Sequence, residues 1–395
     1  MTTAELKKEF IKYYGGSEED IRIFMSPGRV NLIGEHTDYC GGFVFPAAIT
    51  MGTYIAARKT NDKVIKLRAT DLPDYVEADA TRLNDYKHLS WGNYQLGVAA
   101  ELEKRGYEIV GCELLFDDTI PHGGGLSSSA AIEVATAITF ATFSNEAKGI
   151  DAPLDMIEMA LCGQGSENNY CGVNCGIMDQ FASAMGKKDH VIFLDCKKLE
   201  DYKLVPLKMD GYKIVISNTN KKRSLADSKY NERRAETEEG FAELKAALPN
   251  ATCLGDISLE EFEANKHLIK RDIVRQRVTH VIAEDDRVLR SIEALQNGDI
   301  LEFGRLINAS GDSLRDLYEV TGKELDTLVA EARKVDGTIG SRMTGAGFGG
   351  CTMSIVREDA VDTFIEQVGK AYNEIIGYPA SFYVDDIGDG GHEVK

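Results

Sequence analysis

The sequence predicts a mixed α/β (α+β) protein of two domains, and three observations carry that expectation. At 395 residues the chain is longer than one compact core usually serves. Its first half alternates strand-like and apolar helical patterns, whereas its second half turns to charged amphipathic helices before closing on strands. The composition shifts near residue 205, which places one domain at 1–205 and the other at 206–395.

Taken in order, Ile21–Met25 and Phe43–Ala48 read as short strands, and Val64–Arg68 alternates like a half-exposed one. Trp91–Lys104 has helical periodicity, Cys112–Phe116 reads as a strand, and Ser128–Phe143 is apolar nearly all round, as a buried helix is. After the strand-like Val191–Leu194 and Tyr212–Ser217 come amphipathic helices near Leu225–Leu248, Arg275–Leu295 and Lys323–Lys334. Strands follow at Cys351–Val356 and Ala380–Val384.

The 45 basic and 64 acidic residues leave a net charge of −19, which disfavours nucleic acid and anionic membranes as partners. A nucleotide is not disfavoured, because a phosphate site needs only local N–H dipoles, a cation or two and a metal. Met1–Gly15 lacks the apolar stretch of a signal peptide, and no run reaches membrane-spanning length. Eight cysteines at irregular separations suit free thiols in a cytoplasmic protein better than a disulfide framework. Cys171 and Cys175 have no nearby second pair in sequence to complete a zinc site.

Glycines cluster in three segments. In Ser26–Tyr39 the polar residues Arg29, Glu35, His36 and Asp38 stand in an apolar frame bounded by Gly28, Gly34, Gly41 and Gly42. Carboxylates and an imidazole on one loop suit hydrogen bonding to the hydroxyls of a hexose. A solvated loop would account for Glu35 and Asp38 but not for Arg29. A metal site on Glu35, His36 and Asp38 would need near-adjacent side chains to aim at one ion.

The second segment, Pro121–Ala131, follows a strand and opens the buried helix. Small residues there leave the first helical N–H groups pointing at an anion, and serine hydroxyls can meet phosphate or magnesium. ATP is the expected occupant. The loop has no Walker lysine and is not a dinucleotide fingerprint, and a plain tight connection is its alternative. The third segment, Gly345–Gly350, satisfies G-x-G-x-x-G but leads into a strand, so no helix N-terminus is available for a pyrophosphate. It reads as a loop closing over another ligand or as a tight inter-strand turn, with Thr344 in reach of a phosphate or sugar. Asp179 opens an apolar helical stretch. It is either a helix-capping residue or, facing the sugar, the acceptor of a hydroxyl proton, with Arg29 offsetting charge on the oxygen and the phosphoryl group.

In this order the three segments resemble the signature motifs of the GHMP small-molecule kinases, and Gly28–Tyr39 resembles the galactokinase signature at every position. The likeness extends over Cys175–Gln180, Asn218–Asn220, Ser224–Arg234 and Ile387–Gly390. It implies a ribosomal-protein-S5-like N-terminal domain and a ferredoxin-like C-terminal domain with the site in the cleft between them. It also implies transfer of the ATP γ-phosphoryl group to the C1 hydroxyl of galactose, the first committed step of galactose catabolism by the Leloir pathway. On the same resemblance Asp179 is the base and Arg29 the charge stabiliser, and Glu35, His36, Thr37, Asp38, Gly176 and Tyr230 hold the sugar. Gly123, Gly124, Gly125, Leu126, Ser127, Ser128 and Ser129 cradle the triphosphate, and Ser129 and Glu167 take Mg2+. The expected partner is the small-molecule substrate alone, with the chain a monomer. N-acetylgalactosamine or galacturonate is the alternative acceptor, and a non-catalytic galactose sensor the alternative class. The complete phosphate loop, with Asp179 and Arg29 both present, favours the enzyme. Two departures from the family pattern are Cys40, in place of an Asn, and Ala69-Thr70, where many relatives carry a Ser near the nucleotide.

Overall fold

The structure, a computed structural model, describes residues 1–121, 123–221 and 226–395, without the side chains of 226–228. His122, Ser224 and Leu225, quoted above, lie outside the described residues. The strands are β1 (Arg22–Asn31), β2 (Phe43–Val44), β3 (Pro46–Lys59), β4 (Val64–Ala69), β5 (Tyr75–Asp79), β6 (Cys112–Asp118), β7 (His190–Asp195), β8 (Lys203–Pro206), β9 (Tyr212–Asn218), β10 (Thr338–Thr344), β11 (Cys351–Arg357), β12 (Ser381–Asp385) and β13 (His392–Val394). The helices are α1 (Thr3–Tyr14), α2 (Gly92–Lys104), α3 (Ser128–Ala147), α4 (Met156–Gly165), α5 (Met178–Met185), α6 (Ala226–Leu244), α7 (Leu259–Asn265), α8 (Asp272–Gln296), α9 (Ile300–Ser313), α10 (Lys323–Ala332) and α11 (Val361–Ile376).

A six-stranded sheet runs in the order β13-β1-β3-β6-β4-β5, with β4 and β6 parallel and every other pair antiparallel. Against it lies α3, buried on nearly all sides from Ala130 through Phe143, as its largely apolar pattern requires. The second half builds a four-stranded antiparallel sheet, β10-β11-β9-β12. One apolar cluster joins the halves: Val30, Leu32 and Phe45 from the first pack with Ile216, Val288 and Phe303 from the second. The last strand, β13, returns to pair with β1 at the edge of the first sheet.

Several elements are longer or newer than their sequence patterns, β3 and α1 among them. The expected strand at Phe43–Ala48 breaks at Phe45 and then continues to Lys59, because β1 and β6 flank β3 and satisfy its backbone across residues of weak strand propensity. At the N-terminus, where no element was expected, α1 forms: Thr2 and Glu5 close a capping box, and Leu6 and Phe10 bury a narrow stripe against Ile23 and Leu115.

Candidate active site

Arg29 owes its aim to an irregularity in β1. The register against β3 shifts between Pro27 and Arg29, and such bulges re-aim a side chain. Gly28, in the bulge, lets the backbone of the second glycine segment approach: a Cβ there would meet Leu126 O at 2.5 Å. The Arg29 N–H donates to that same carbonyl at 3.0 Å. Its buried guanidinium donates through Nη1 to Gly125 O (2.7 Å) and through Nε to Asp179 Oδ1 (2.9 Å).

Asp179 lies in the first turn of α5, and both its oxygens are engaged by residues of other elements instead of capping that helix. Oδ1 meets Arg29, and Oδ2 accepts from Ser127 Oγ at 2.6 Å. Ser127 precedes α3 with φ of +63° and caps nothing with its side chain, so its hydroxyl is free for Asp179. The first turn of α3, with Ser129 in it, is thus left without a side-chain cap from Ser127.

The sugar-loop carboxylates are held differently. Glu35 is buried and paired with the Arg342 guanidinium, itself fully buried. Burial pushes the Glu35 carboxyl up, and Arg342, then Arg29, work against that. Asp38 receives the backbone N–H groups of Tyr39 and of Met178 at the start of α5. Burial, reinforced by the neighbouring Asp179, still pushes it up to about 6. Gly176 lies against it, and a Cβ there would fall 1.8 Å from Asp38 Oδ2. His36 adopts a left-handed φ of +64°, a strained conformation for a residue with a Cβ. Its Nδ1 meets Tyr39 Oη at 2.9 Å, while its buried Nε2 makes no hydrogen bond of normal geometry. Burial keeps the ring neutral by pushing it down to about 3. Tyr230, on α6, packs its ring against those of His36 and Tyr39.

Glu167 sits on a π-helical turn, Ser166–Cys171, that extends α4; such turns recur at functional sites. Its carboxyl is beside the Ser129 hydroxyl and is pushed up by burial. Behind it the Gln180 amide donates both to Glu167 Oε2 (3.1 Å) and to the buried Glu133 Oε2 (2.9 Å).

These groups converge on one cavity of about 350 Å3. Arg29, Glu35, His36 and Asp38 line one side, and Ser129, Glu167, Gly176, Asp179 and Tyr230 the rest. Other expected residues stand outside the lining. Thr37 spends its hydroxyl on Gly34 O (3.0 Å) and Phe43 O (2.6 Å), bracing the loop. Leu126 buries its side chain in the core, leaving only its backbone near the site. Gly123, Gly124, Gly125, Ser127 and Ser128 also fall outside the cavity, with Ser128 bonded to Asp118.

The third glycine segment joins β10 to β11 as an inter-strand turn, yet Gly345 and Ala346 also border the cavity. Thr344 is no ligand group: its hydroxyl accepts from Asn31 N–H (3.0 Å) and is buried, tying β10 to β1. Cys40 lies outside the cavity in an apolar cluster with Phe262 and Val278, and Ala69 and Thr70 do not border it. Tyr39 and Asn231 line the cavity without having been assigned there. Tyr39 and Gln180 stand inside signature runs and are open to assignment, whereas Glu133 and Arg342 carry no local mark.

Comparison with known proteins accords with this geometry. A galactokinase galactose-binding signature matches residues 8–59, a GHMP kinase N-terminal domain 93–187 and a GHMP kinase C-terminal domain 291–374. A galactokinase of Clostridium tetani is 49% identical over 395 residues, covering 100% of this chain and 98% of its own. The crystal structure of Lactococcus lactis galactokinase complexed with galactose superposes with a TM-score of 0.94 at 43% identity, covering 100% of both chains. Methanococcus jannaschii mevalonate kinase, at 20% identity, covers 93% of this chain and 98% of its own with a TM-score of 0.63 and shares the fold.

Proposed function

This chain belongs to the galactokinase family of the GHMP kinases, and from that premise we infer that it transfers the γ-phosphoryl group of ATP to the C1 hydroxyl of galactose. The observation that carries the reading is the engagement of Asp179 by Arg29 and Ser127 at a cavity shared with Glu35, His36 and Asp38. Phosphoryl transfer asks mainly for positioning and charge. Glu35 and Asp38 offer acceptor oxygens and His36 an unused ring nitrogen to a sugar, with Gly176 and Tyr230 shaping the walls. Asp179 then faces the hydroxyl and takes or orients its proton. Arg29, beside it, offsets the negative charge that develops on the transferring group. The polyphosphate lies along the Gly123–Ser129 loop at the uncapped start of α3.

The nucleotide's Mg2+ would be held by Ser129 and Glu167, hydroxyl and carboxyl oxygens side by side. Among the described residues no group of three His, Cys, Asp or Glu forms a protein-only metal cage. That suits Mg2+, which keeps few protein ligands and shares its sphere with phosphate and water. When bound, the ion supplies charge neutralisation to the triphosphate.

The division into domains at 1–205 and 206–395, with the cavity at their junction, belongs to this proposal, as does action as a monomer. All eight cysteines are unbridged, which supports placing the protein in the cytoplasm.

The deciding experiment measures ATP consumption with galactose, glucose, N-acetylgalactosamine and galacturonate in parallel. Turnover with galactose and not glucose is expected. Marked preference for N-acetylgalactosamine or galacturonate would reassign the acceptor, and galactose binding without turnover would make the chain a sensor.

A further inference from the structure

The galactose loop is gripped from behind by a helix that never reaches the cavity. Glu284, fully buried on α8, accepts through Oε1 from the N–H groups of Gly34 (2.9 Å) and Glu35 (3.3 Å). The same oxygen accepts from Ser310 Oγ at 2.5 Å, and Oε2 accepts from Arg287 Nε at 2.6 Å. One turn earlier, His280 Nε2 lies 3.0 Å from Glu35 O, and its Nδ1 lies 2.8 Å from Ser313 Oγ. Burial pushes this imidazole down to about 4. As a neutral ring it has one N–H, and the carbonyl at Nε2 can only accept, so Nε2 carries the hydrogen and Nδ1 accepts from Ser313. Asp285 takes the far end of the loop, its Oδ1 accepting from Phe43 N–H at 2.7 Å.

Both backbone groups of Glu35 are therefore fixed by α8, about 250 residues away in sequence, as the separations of 249 and 245 show. The next residue, His36, holds its left-handed conformation, and such strain persists only where the surroundings over-determine it. We propose that His280 and Glu284 are positioning residues for galactose, fixing the Glu35 peptide on both sides so that Glu35 and the strained His36 present their polar atoms to the sugar. The inference rests on the galactokinase reading and adds to it residues that touch neither substrate.

The test uses the full chain, with galactose affinity by calorimetry beside steady-state kinetics for wild type, Glu284→Ala, Glu284→Gln, His280→Ala and Ser313→Ala. Galactose Kd and KM are expected to rise about tenfold or more in Glu284→Ala and His280→Ala, the loss of roughly one to two hydrogen bonds' worth of preorganisation. KM for ATP should stay within about twofold, and kcat at saturating galactose within about threefold, changes too small to signal loss of transition-state contacts. Glu284→Gln, which keeps an acceptor oxygen, should recover most of the affinity. Should the alanine variants fail to fold, Ser313→Ala decides the matter: without the Ser313 donor at His280 Nδ1, galactose Kd is expected to rise several-fold, and an unchanged Kd overturns the proposal. Equal weakening of galactose and ATP in any folded variant overturns it too, since that is general loosening. A wild type that neither binds nor phosphorylates galactose would instead sink the function on which the inference rests.

Discussion

Ser127 Oγ donates to Asp179 Oδ2 at 2.6 Å, so the residue that leads into α3 also orients the carboxylate of a different helix, α5. Together with the Arg29 contact at Oδ1, this holds the Asp179 carboxylate through both of its oxygens.

Asp179→Ala is expected to lower kcat by about a thousandfold or more, at the upper end of what a positioned base contributes. Galactose should still bind, because Glu35, His36 and Asp38 remain. Calorimetry beside an ATP-consumption assay checks both halves, and an active variant would show that Asp179 is not the base. Asp179→Asn then separates roles, since an amide can orient a hydroxyl but accepts no proton at neutral pH.

If Asp38 holds galactose as proposed, galactose affinity should depend on pH. Its carboxyl is pushed from the ordinary 3.8 up to about 6, so it loses its charge as the pH falls through that value. Galactose KM should rise as the pH drops below about 6, where the protonated group no longer offers two acceptor oxygens. The stability effect has the opposite sense. Because the folded value exceeds the unfolded one, the folded state binds the proton more tightly, and Asp38 costs stability above about pH 6 that is recovered as the pH falls toward 4. Asp38→Asn should therefore raise the unfolding free energy at pH 8 by up to about 3 kcal/mol, with much less gain near pH 4. Denaturant melts at the two pH values read this out, and a larger gain at the lower pH would contradict it.

Gly176→Ala should weaken galactose binding at least about tenfold, because the added methyl would stand 1.8 Å from Asp38 Oδ2 and must drive the carboxylate off its place. ATP affinity should change little. Equal galactose affinity in the variant would mean that Asp38 is not needed where it stands.

Arg342→Met leaves Glu35 buried without its partner, and breaking such a pair typically costs about 3–5 kcal/mol. Adding Glu35→Gln should recover part of that stability without restoring galactose binding. A double-mutant cycle measured by urea unfolding checks it; strict additivity would show that the two side chains are not coupled.

Much of this site was legible in the chain because its parts are local. Gly28–Tyr39 carries Arg29, Glu35, His36 and Asp38 within one run, and the Gly/Ser turn before an apolar helix is likewise a local pattern of consecutive residues. The buried helix at Ser128 and the strand after Gly350 were legible for the same reason, since each pattern spans consecutive residues. Assignments inside the runs were harder. Thr37 stands among sugar-loop residues yet braces the loop, and Thr344 beside the third glycine segment ties two strands, because a hydroxyl's partner depends on which carbonyl or N–H lies within about 3 Å.

The chain by itself determined which chemistry was available: two carboxylates and an imidazole on one glycine-bounded loop, a Gly/Ser turn opening a buried helix, and an acid at the head of a short helix. Tertiary structure alone decided what those groups face. The bulge in β1 turns Arg29 toward Asp179, Arg342 neutralises Glu35 from a separation of 307 residues, and α8 holds the loop from behind. The physical reason is that side-chain patterns report which face of an element is buried, whereas a hydrogen bond or an ion pair depends on distance in space, which sequence separation does not encode.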